Sequence, residues 1–409
     1  MPDQLTNSKR LWDSLMEVAK IGATEKGGSR RLALTDLDRE VRDLFVAWCR
    51  EAGCSISVDA MGNVFARREG TDPSLAPVLA GSHLDTQPNG GKFDGVFGVL
   101  AALEAVRSLN DQGIETKRAV EIVDWTNEEG SRFAPAMVSS GVFAGAFDLE
   151  YGLSRTDVDG NTIAEELTRI GYAGDAQVGG RPIAAYIEAH IEQGPILEGE
   201  QKTIGVVQGA QAQRWYEVTL TGQDAHAGTT PMDRRHDALV AAASIVTEIN
   251  RIGLSVEDGR ATVGMMEVGP NSRNTIPGSC FFTVDMRHPD EDVLLGMSTT
   301  LREYAAGIAS EHGVEMDLRE IWHSPLVTFD RRCVDAVEAG ALAAGYSYME
   351  ISSGAGHDAC YIARVAPTAM IFVPCADGIS HNELESATPD DLAAGAEVLT
   401  RAIIELANG

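Results

Sequence analysis

Between about residues 75 and 210, short apolar runs alternate with segments whose apolar positions recur every three or four residues. Residues 77–80 read as a buried strand ending just before His83, and a helix follows over about 96–109. Residues 119–125 form a second strand that ends just before Glu128 and Glu129. Strand, helix, strand with polar motifs at the strand C-termini predicts an α/β sheet whose site lies at its carboxyl edge.

The pattern changes between about 212 and 328. Tyr216, Val218 and Leu220 alternate with Glu217 and Thr219, which predicts a strand buried on one face. A helix is expected over 231–252, with Pro231 at its start, then strands over 261–268 and 279–287. The second of these strands buries Cys280, Phe282, Val284 and Met286 on one face. Val293, Met297, Leu301, Tyr304 and Ile308 then follow at helical steps, and a last strand covers 314–318. The order βαββαβ is that of a ferredoxin-like unit. After it the first pattern resumes, with a helix near 333–344 and a strand over 368–373 leading to His381. A terminal helix is capped by Thr388, with Pro389 in its first turn and Asp391 three residues past the cap. The expected division is therefore a catalytic α/β domain of residues 1–211 and 329–409, with an α+β domain of residues 212–328 inserted into it.

Composition narrows the function. A chain of 409 residues is too long for one ordinary core, so two domains are the expectation. A net charge of −28 opposes binding to nucleic acid or anionic membranes, because a phosphate-binding surface needs a basic excess. Six scattered cysteines without a C-x-x-C pair imply neither disulfides nor a zinc knuckle, and suit reduced thiols in a cytoplasmic protein. Leu11, Leu15 and Val18 recur at helical spacing, while Asp13 and Glu17 interrupt any apolar run, unlike a signal peptide. No stretch approaches the length of a transmembrane helix.

Five residues carry metal-ligand chemistry in segments expected to be loops: His83 in GSHLDT, Asp94 in GGKFDG, Glu129 in WTNEEGSRF, His190 in EAHIEQGP and His381 in DGISHNE. Three imidazoles and two carboxylates suffice for a pair of divalent cations if one carboxylate bridges them. A lone loop histidine is more often polar surface, but the glycines bracketing these segments mark close backbone approach. Asp85, two residues from His83, is placed to accept the imidazole's second N–H. Of the adjacent Glu128 and Glu129, one suits a ligand and the other a general base. Asp124, Trp125 and Asn127 would shape the site. Gln193, His226, Asn274 and Arg287 sit at element ends, where such residues singly are more often structural. Arg287 suits bidentate capture of a carboxylate. His236, His288, His312 and His323 read as surface.

These segments together resemble the dizinc aminoacylase and carboxypeptidase superfamily, and within it the N-carbamoyl amino acid hydrolase branch that includes β-ureidopropionase and allantoate amidohydrolase. The resemblance runs from about residue 10 to the C-terminus and is carried by GSHLDTQPNGGKFDG, NEEGSRF, HIEQGPILE, DAHAGTTPMDRR and SGAGHD. It implies a dimetal exopeptidase-like catalytic domain with a dimerisation and lid domain inserted. It further implies that His83, Asp94 and His190 hold one cation and Asp94, Glu129 and His381 the other, with zinc, manganese, nickel or cobalt as candidates. Glu128 would be the general base, supported by Asp85. Gln193, His226, Asn274, Arg287, Gly356 and His357 match substrate-contacting positions, with His226 acting in the partner subunit of a homodimer.

The implied substrate is a small anionic ureido acid, cleaved to the amino acid, ammonia and carbon dioxide, and SHLDTQP leans toward β-ureidopropionase-like and broad carbamoylase members. The alternatives are an allantoate amidohydrolase, an aminoacylase or dipeptidase, and a non-catalytic ligand-binding protein. Retention of Glu128 argues against the last, since a binder needs no base.

Overall fold

The computed structural model describes residues 4–409 and divides the chain into two compact units. One runs to Gly209 and resumes at Thr328, and the other is Ala210–Val327. The first unit opens with the helix Ser8–Val18, which buries Leu11, Leu15 and Val18. Its strands are β1 (Ser55–Val58), β2 (Val64–Arg68), β3 (Val78–His83), β4 (Val120–Trp125), β5 (Ala185–Ile191) and β6 (Ile204–Ala210). Every residue of β3, β4 and β5 is buried, as expected of parallel strands covered on both faces. The helix Val96–Asp111 lies between β3 and β4 in sequence and buries most of its length.

The second unit contains β7 (Ala212–Thr221), β8 (Ala225–His226), β9 (Arg260–Thr262), β10 (Met266–Gly269), β11 (Thr275–Ile276), β12 (Ser279–His288) and β13 (Glu315–Ser324). Its main sheet runs β10-β12-β7-β13, with β9 also paired to β12, and this is the ferredoxin-like strand order. Cys280, Phe282, Val284 and Met286 are buried in its core, as the alternation predicts. Removing the fully buried Phe282 ring would cost about 3–5 kcal/mol.

Four local expectations change here. The strand expected over 261–268 is broken into β9 and β10. The helix expected from Pro231 begins at Ala238, because Pro231 stays extended and Asp237 accepts the N–H groups of Leu239 and Val240. The buried stripe of the helix Glu291–His312 is Leu294, Met297, Leu301, Ala305 and Ala309, which leaves Tyr304 exposed. His288 is buried rather than on the surface. Its Nδ1 accepts the Asp290 N–H at 2.8 Å, and its Nε2–H reaches the Glu257 carbonyl at 2.9 Å.

The chain then adds β14 (Val327–Thr328), β15 (Tyr348–Ser353) and β16 (Thr368–Val373), completing a nine-stranded sheet in which eight strands run β1-β2-β4-β3-β5-β16-β6-β14 and β15 also pairs with β6. β3, β4, β5 and β16 are parallel neighbours at its centre. Their registers set His83 beside Trp125 and His190 beside Phe372, so the polar segments leave the sheet along one edge. The helix Pro389–Asn408 closes the unit, its Thr388 hydroxyl accepting the Asp391 N–H at 3.1 Å. Among the described residues, no helix is long and apolar enough to cross a membrane.

Candidate metal centre

His83 is the last residue of β3 and His190 the penultimate residue of β5, so these two candidate ligands stand on strands and not, as expected, on loops. Asp94 precedes the helix Val96–Asp111, while Glu129 and His381 lie beyond the ends of β4 and β16. Ligand atoms of His83, Asp94 and His190 form one group, and those of Asp94, Glu129 and His381 a second, each within 4.8 Å. Asp94 presents Oδ1 to His190 Nε2 at 3.2 Å and to His83 Nε2 at 3.7 Å. Its Oδ2 faces His381 Nε2 at 3.5 Å, and the same nitrogen lies 3.4 Å from Glu129 Oε2. Bonds of about 2.1 Å to a tetrahedral ion put ligand atoms about 3.4 Å apart, so both groups fit a divalent cation with Asp94 shared.

The imidazoles are oriented by main chain. His83 Nδ1–H donates to the Asp85 carbonyl at 2.9 Å, and His190 Nδ1–H to the Ile191 carbonyl at 2.9 Å. Both therefore offer Nε2 to the cluster. The expectation for Asp85 is corrected here. Its carboxylate lies 3.9 Å from His83 Nδ1 and instead accepts the N–H groups of Glu128 at 3.1 Å and Glu129 at 3.3 Å. The reason is geometric: the chain turns after His83, so the nearer acceptor is the backbone oxygen.

Two glycines make the approach feasible. Gly95, at φ +65, lies where a Cβ would come within 2.3 Å of the His83 ring. At Gly91 a Cβ would sit 1.9 Å from the Glu385 carboxyl carbon. Asn127, Gln193 and His381 also hold positive φ around the cluster, a strained backbone of the kind found at sites that must fix a side chain.

Electrostatics match the donor set. Burial lowers His83 to about 4, which keeps its Nε2 lone pair available. Burial would raise Asp94, but the His190 hydrogen bond and the surrounding imidazoles hold it well below the carboxylate range. Burial would likewise lower His190, yet Asp94 lifts it to about 9. The Gly95 N–H points at the same His190 Nε2 from 3.1 Å, which asks for a bare nitrogen. A cation at this Nε2 would take the lone pair that the Gly95 N–H meets, in place of the proton that His190 shares with Asp94. Burial raises Glu128 and Glu129 well above their usual values, reinforced by Asp358 for Glu128 and by Asp94 for Glu129. Glu128 Oε2 lies 3.5 Å from His83 Nε2.

Gln87, Ser380, Glu188, Arg42 and Asp38 were not singled out from sequence, and they join Gln193, Asp124 and Asn127, which were. Gln87 Nε2 donates to Glu129 Oε2 at 2.7 Å, four residues beyond His83 in the same motif. Ser380 Oγ donates to Asp94 Oδ2 at 2.9 Å, and Gln193 Nε2 reaches the same oxygen at 2.8 Å. Buried Glu188 accepts from Ser82 Oγ at 2.6 Å and from the Ala359 N–H at 3.0 Å. Behind the cluster, fully buried Arg42 pairs with Asp38 at 2.9 Å and Asp124 at 3.3 Å, and Asp124 Oδ1 takes the Leu84 N–H at 3.0 Å. Asn127 Nδ2 holds the Phe133 carbonyl at 2.8 Å.

The other expected site residues divide between the two units. Gly356 is half-buried, and His357 is buried with its ring 4.6 Å from that of His190. In the second unit, His226 and Asn274 belong to the ribbon of β8 and β11, where His226 is paired with Thr275 and the Ala227 N–H meets the Asn274 carbonyl at 2.9 Å. Arg287, on β12, makes a two-pronged contact with Asp285, with Nη2 at 2.6 Å from Oδ2.

Residues 79–405 match the family model described as peptidase family M20/M25/M40. The chain is 52% identical to an N-carbamoyl-L-amino-acid amidohydrolase of Rhizobium meliloti, over 98% of this chain and 97% of the relative. It is 33% identical to a ureidoglycolate hydrolase of Arabidopsis thaliana, over 97% of this chain and 86% of that one. Among solved structures it is similar to a hydantoinase/carbamoylase family amidase from Burkholderia vietnamiensis, with a TM-score of 0.98 and 62% identity, covering 100% of this chain and 99% of that one.

Proposed function

Because the chain belongs to peptidase family M20/M25/M40, we propose that it is a metal-dependent amidohydrolase that cleaves N-carbamoyl-L-amino acids to the amino acid, ammonia and carbon dioxide. The observation that carries this reading is the shared Asp94 between two ligand groups, with Glu128 beside them and no part of either. The full-length likeness to an N-carbamoyl-L-amino-acid amidohydrolase supports the substrate class.

His83, Asp94 and His190 would hold one divalent cation, and Asp94, Glu129 and His381 the other; zinc suits this nitrogen and oxygen set, as do manganese, nickel and cobalt. Such a pair polarises a carbonyl oxygen and makes water acidic enough to attack at neutral pH. A ureido carbon is a poor electrophile, so this is the assistance its hydrolysis lacks in water. Glu128 takes the proton of the attacking water and delivers it to the departing nitrogen, its buried carboxyl being raised well above the usual carboxylate range by burial and by Asp358. Asp85 positions Glu128 and Glu129 through their backbone N–H groups.

Gln193, His226, Asn274 and Arg287 contact the substrate, Arg287 by exchanging Asp285 for the substrate carboxylate, and Gly356 and His357 border it. The protein works in the cytoplasm as a homodimer formed through the second unit, whose β10 and β13 are edge strands suited to pairing across a two-fold axis.

The test is a panel of N-carbamoyl-L-amino acids, N-carbamoyl-β-alanine, ureidoglycolate, allantoate and N-acetyl amino acids, assayed with added divalent metal. Ammonia release from N-carbamoyl-L-amino acids above all others is expected. Faster deacylation of N-acetyl amino acids would make the protein an aminoacylase instead.

A further inference from the structure

The β8 and β11 ribbon fixes the hydrogen-bonding character of His226 before any substrate arrives. His226 Nδ1 is met by the Gly228 N–H at 3.0 Å and the Thr229 N–H at 3.2 Å. A main-chain N–H can only donate, so Nδ1 is the bare nitrogen, and the neutral ring carries its proton on Nε2. Asn274, across the ribbon, is biased the same way: Ser272 Oγ–H meets its Oδ1 at 3.3 Å, which leaves the amide NH₂ as the group on offer.

The turn that supplies the two N–H groups is held by one side chain. Arg235 Nη2 donates to the Ala227 carbonyl at 2.8 Å and to the Thr230 carbonyl at 3.0 Å, and Nε reaches the latter at 3.2 Å. The guanidinium thus ties both ends of the turn over residues 227–230, and the Thr230 N–H closes it onto the His226 carbonyl at 3.1 Å. Space is limited as well, since a Cβ at Gly228 would lie 3.2 Å from His226 Cε1. A planar fork that grips two carbonyls is something a lysine cannot reproduce.

We propose that Arg235 is a positioning residue that locks His226 as an Nε2–H hydrogen-bond donor to an acceptor oxygen of the substrate. His226 therefore acts neither as a base nor as a metal ligand. This rests on the reading of the protein as a ureido-acid hydrolase, in which the oxygen gaining charge is that of the ureido carbonyl, and a donor already in place costs no reorganisation as that charge grows.

The experiment uses the full-length protein labelled with ¹⁵N-histidine, its imidazole nitrogens observed by NMR at mildly alkaline pH. The His226 signals are assigned by their loss in His226→Gln. The wild-type ring is expected as the Nε2-protonated tautomer. In Arg235→Gln the second tautomer should gain population, and kcat for an N-carbamoyl-L-amino acid should fall about tenfold or more with a smaller change in KM. Arg235→Lys, the variant to rely on if Arg235→Gln does not fold, should retain part of both.

An Nδ1-protonated wild-type ring would overturn the proposal. So would an Arg235→Gln protein with unchanged tautomer and unchanged kcat, or a fully active His226→Ala, which has no donor to offer. Absence of ureido-acid turnover in the wild-type protein, with the Nε2 tautomer observed, would overturn the functional reading separately from the tautomer.

Discussion

Glu385 Oε1 accepts the backbone N–H of Asp94 at 3.1 Å, together with that of Phe93 at 2.9 Å. Glu385 lies four residues after His381, so one loop carries a proposed ligand and also fastens the segment of Asp94, the carboxylate common to both candidate groups. Burial and the nearby Asp94 push Glu385 up to about 8.

This link gives the first prediction. Asp94→Ala should lose both metals, whereas Glu385→Ala should keep the ligands but bind metal about 10–100-fold more weakly. Metal content after dialysis against a graded chelator measures both. Full occupancy in Asp94→Ala would remove the shared carboxylate from the proposed site.

Glu128 and Glu129 are neighbours with separate tasks in the proposed mechanism. Glu128→Gln preserves size and hydrogen bonding but accepts no proton, so kcat should fall by about 10² or more with metal content unchanged. Glu129→Gln should lower metal content instead. The opposite pattern would mean that the two assignments are reversed.

Arg287→Lys keeps the charge but not the planar fork, and should lower kcat/KM for N-carbamoyl-L-amino acids about tenfold or more. The matching ureido amide, which lacks the carboxylate, should be a poor substrate of the wild-type protein and nearly indifferent to the change. Equal losses on both compounds would point to a damaged fold.

A pH prediction concerns Asp59, away from the ligands. Burial raises its carboxyl to about 6, against hydrogen bonds from the N–H groups of Met61 and Asn63 that pull it down. A raised carboxyl favours the folded state when protonated. Its contribution is therefore full below about 3.8 and is lost as pH rises through about 6. Across that window the stability of the wild-type protein relative to Asp59→Asn should fall by up to about 3 kcal/mol. Denaturant midpoints of the two proteins at several pH values read it directly, and a flat difference would refute it.

The legible part of the site is what short motifs at strand ends can carry. His83, Asp94, Glu129, His190 and His381 are recognisable because glycines and abrupt changes from apolar to polar residues surround them. Asp85 was harder, since its backbone and its carboxylate compete for the same neighbour and only the path of the turn decides. Glu385 was missed because nothing in HNELE separates a buried anchor from a solvated acid. In the second unit the strand order followed from alternation. The helix start did not, because Pro231 and Asp237 are both good openings, and it is the Asp237 side chain that caps the helix while Pro231 stays extended. The helix Glu291–His312 buries a stripe shifted to Leu294 and Ala305, a rotation that apolar spacing alone leaves free.

The carbonyls of Asp85 and Ile191 that orient His83 and His190 belong to every amino acid, so no side-chain replacement deletes them. A histidine steered by a neighbouring carboxylate can be disoriented by one point mutation there. These two tolerate substitution at 85 and 191 as far as ring direction is concerned. Drift in proposed substrate residues that do not touch the cluster, unlike Gln193 with its hydrogen bond to Asp94, can then proceed without turning these two rings. One scaffold of this kind is mutationally free to change its surroundings while these two imidazoles keep their direction.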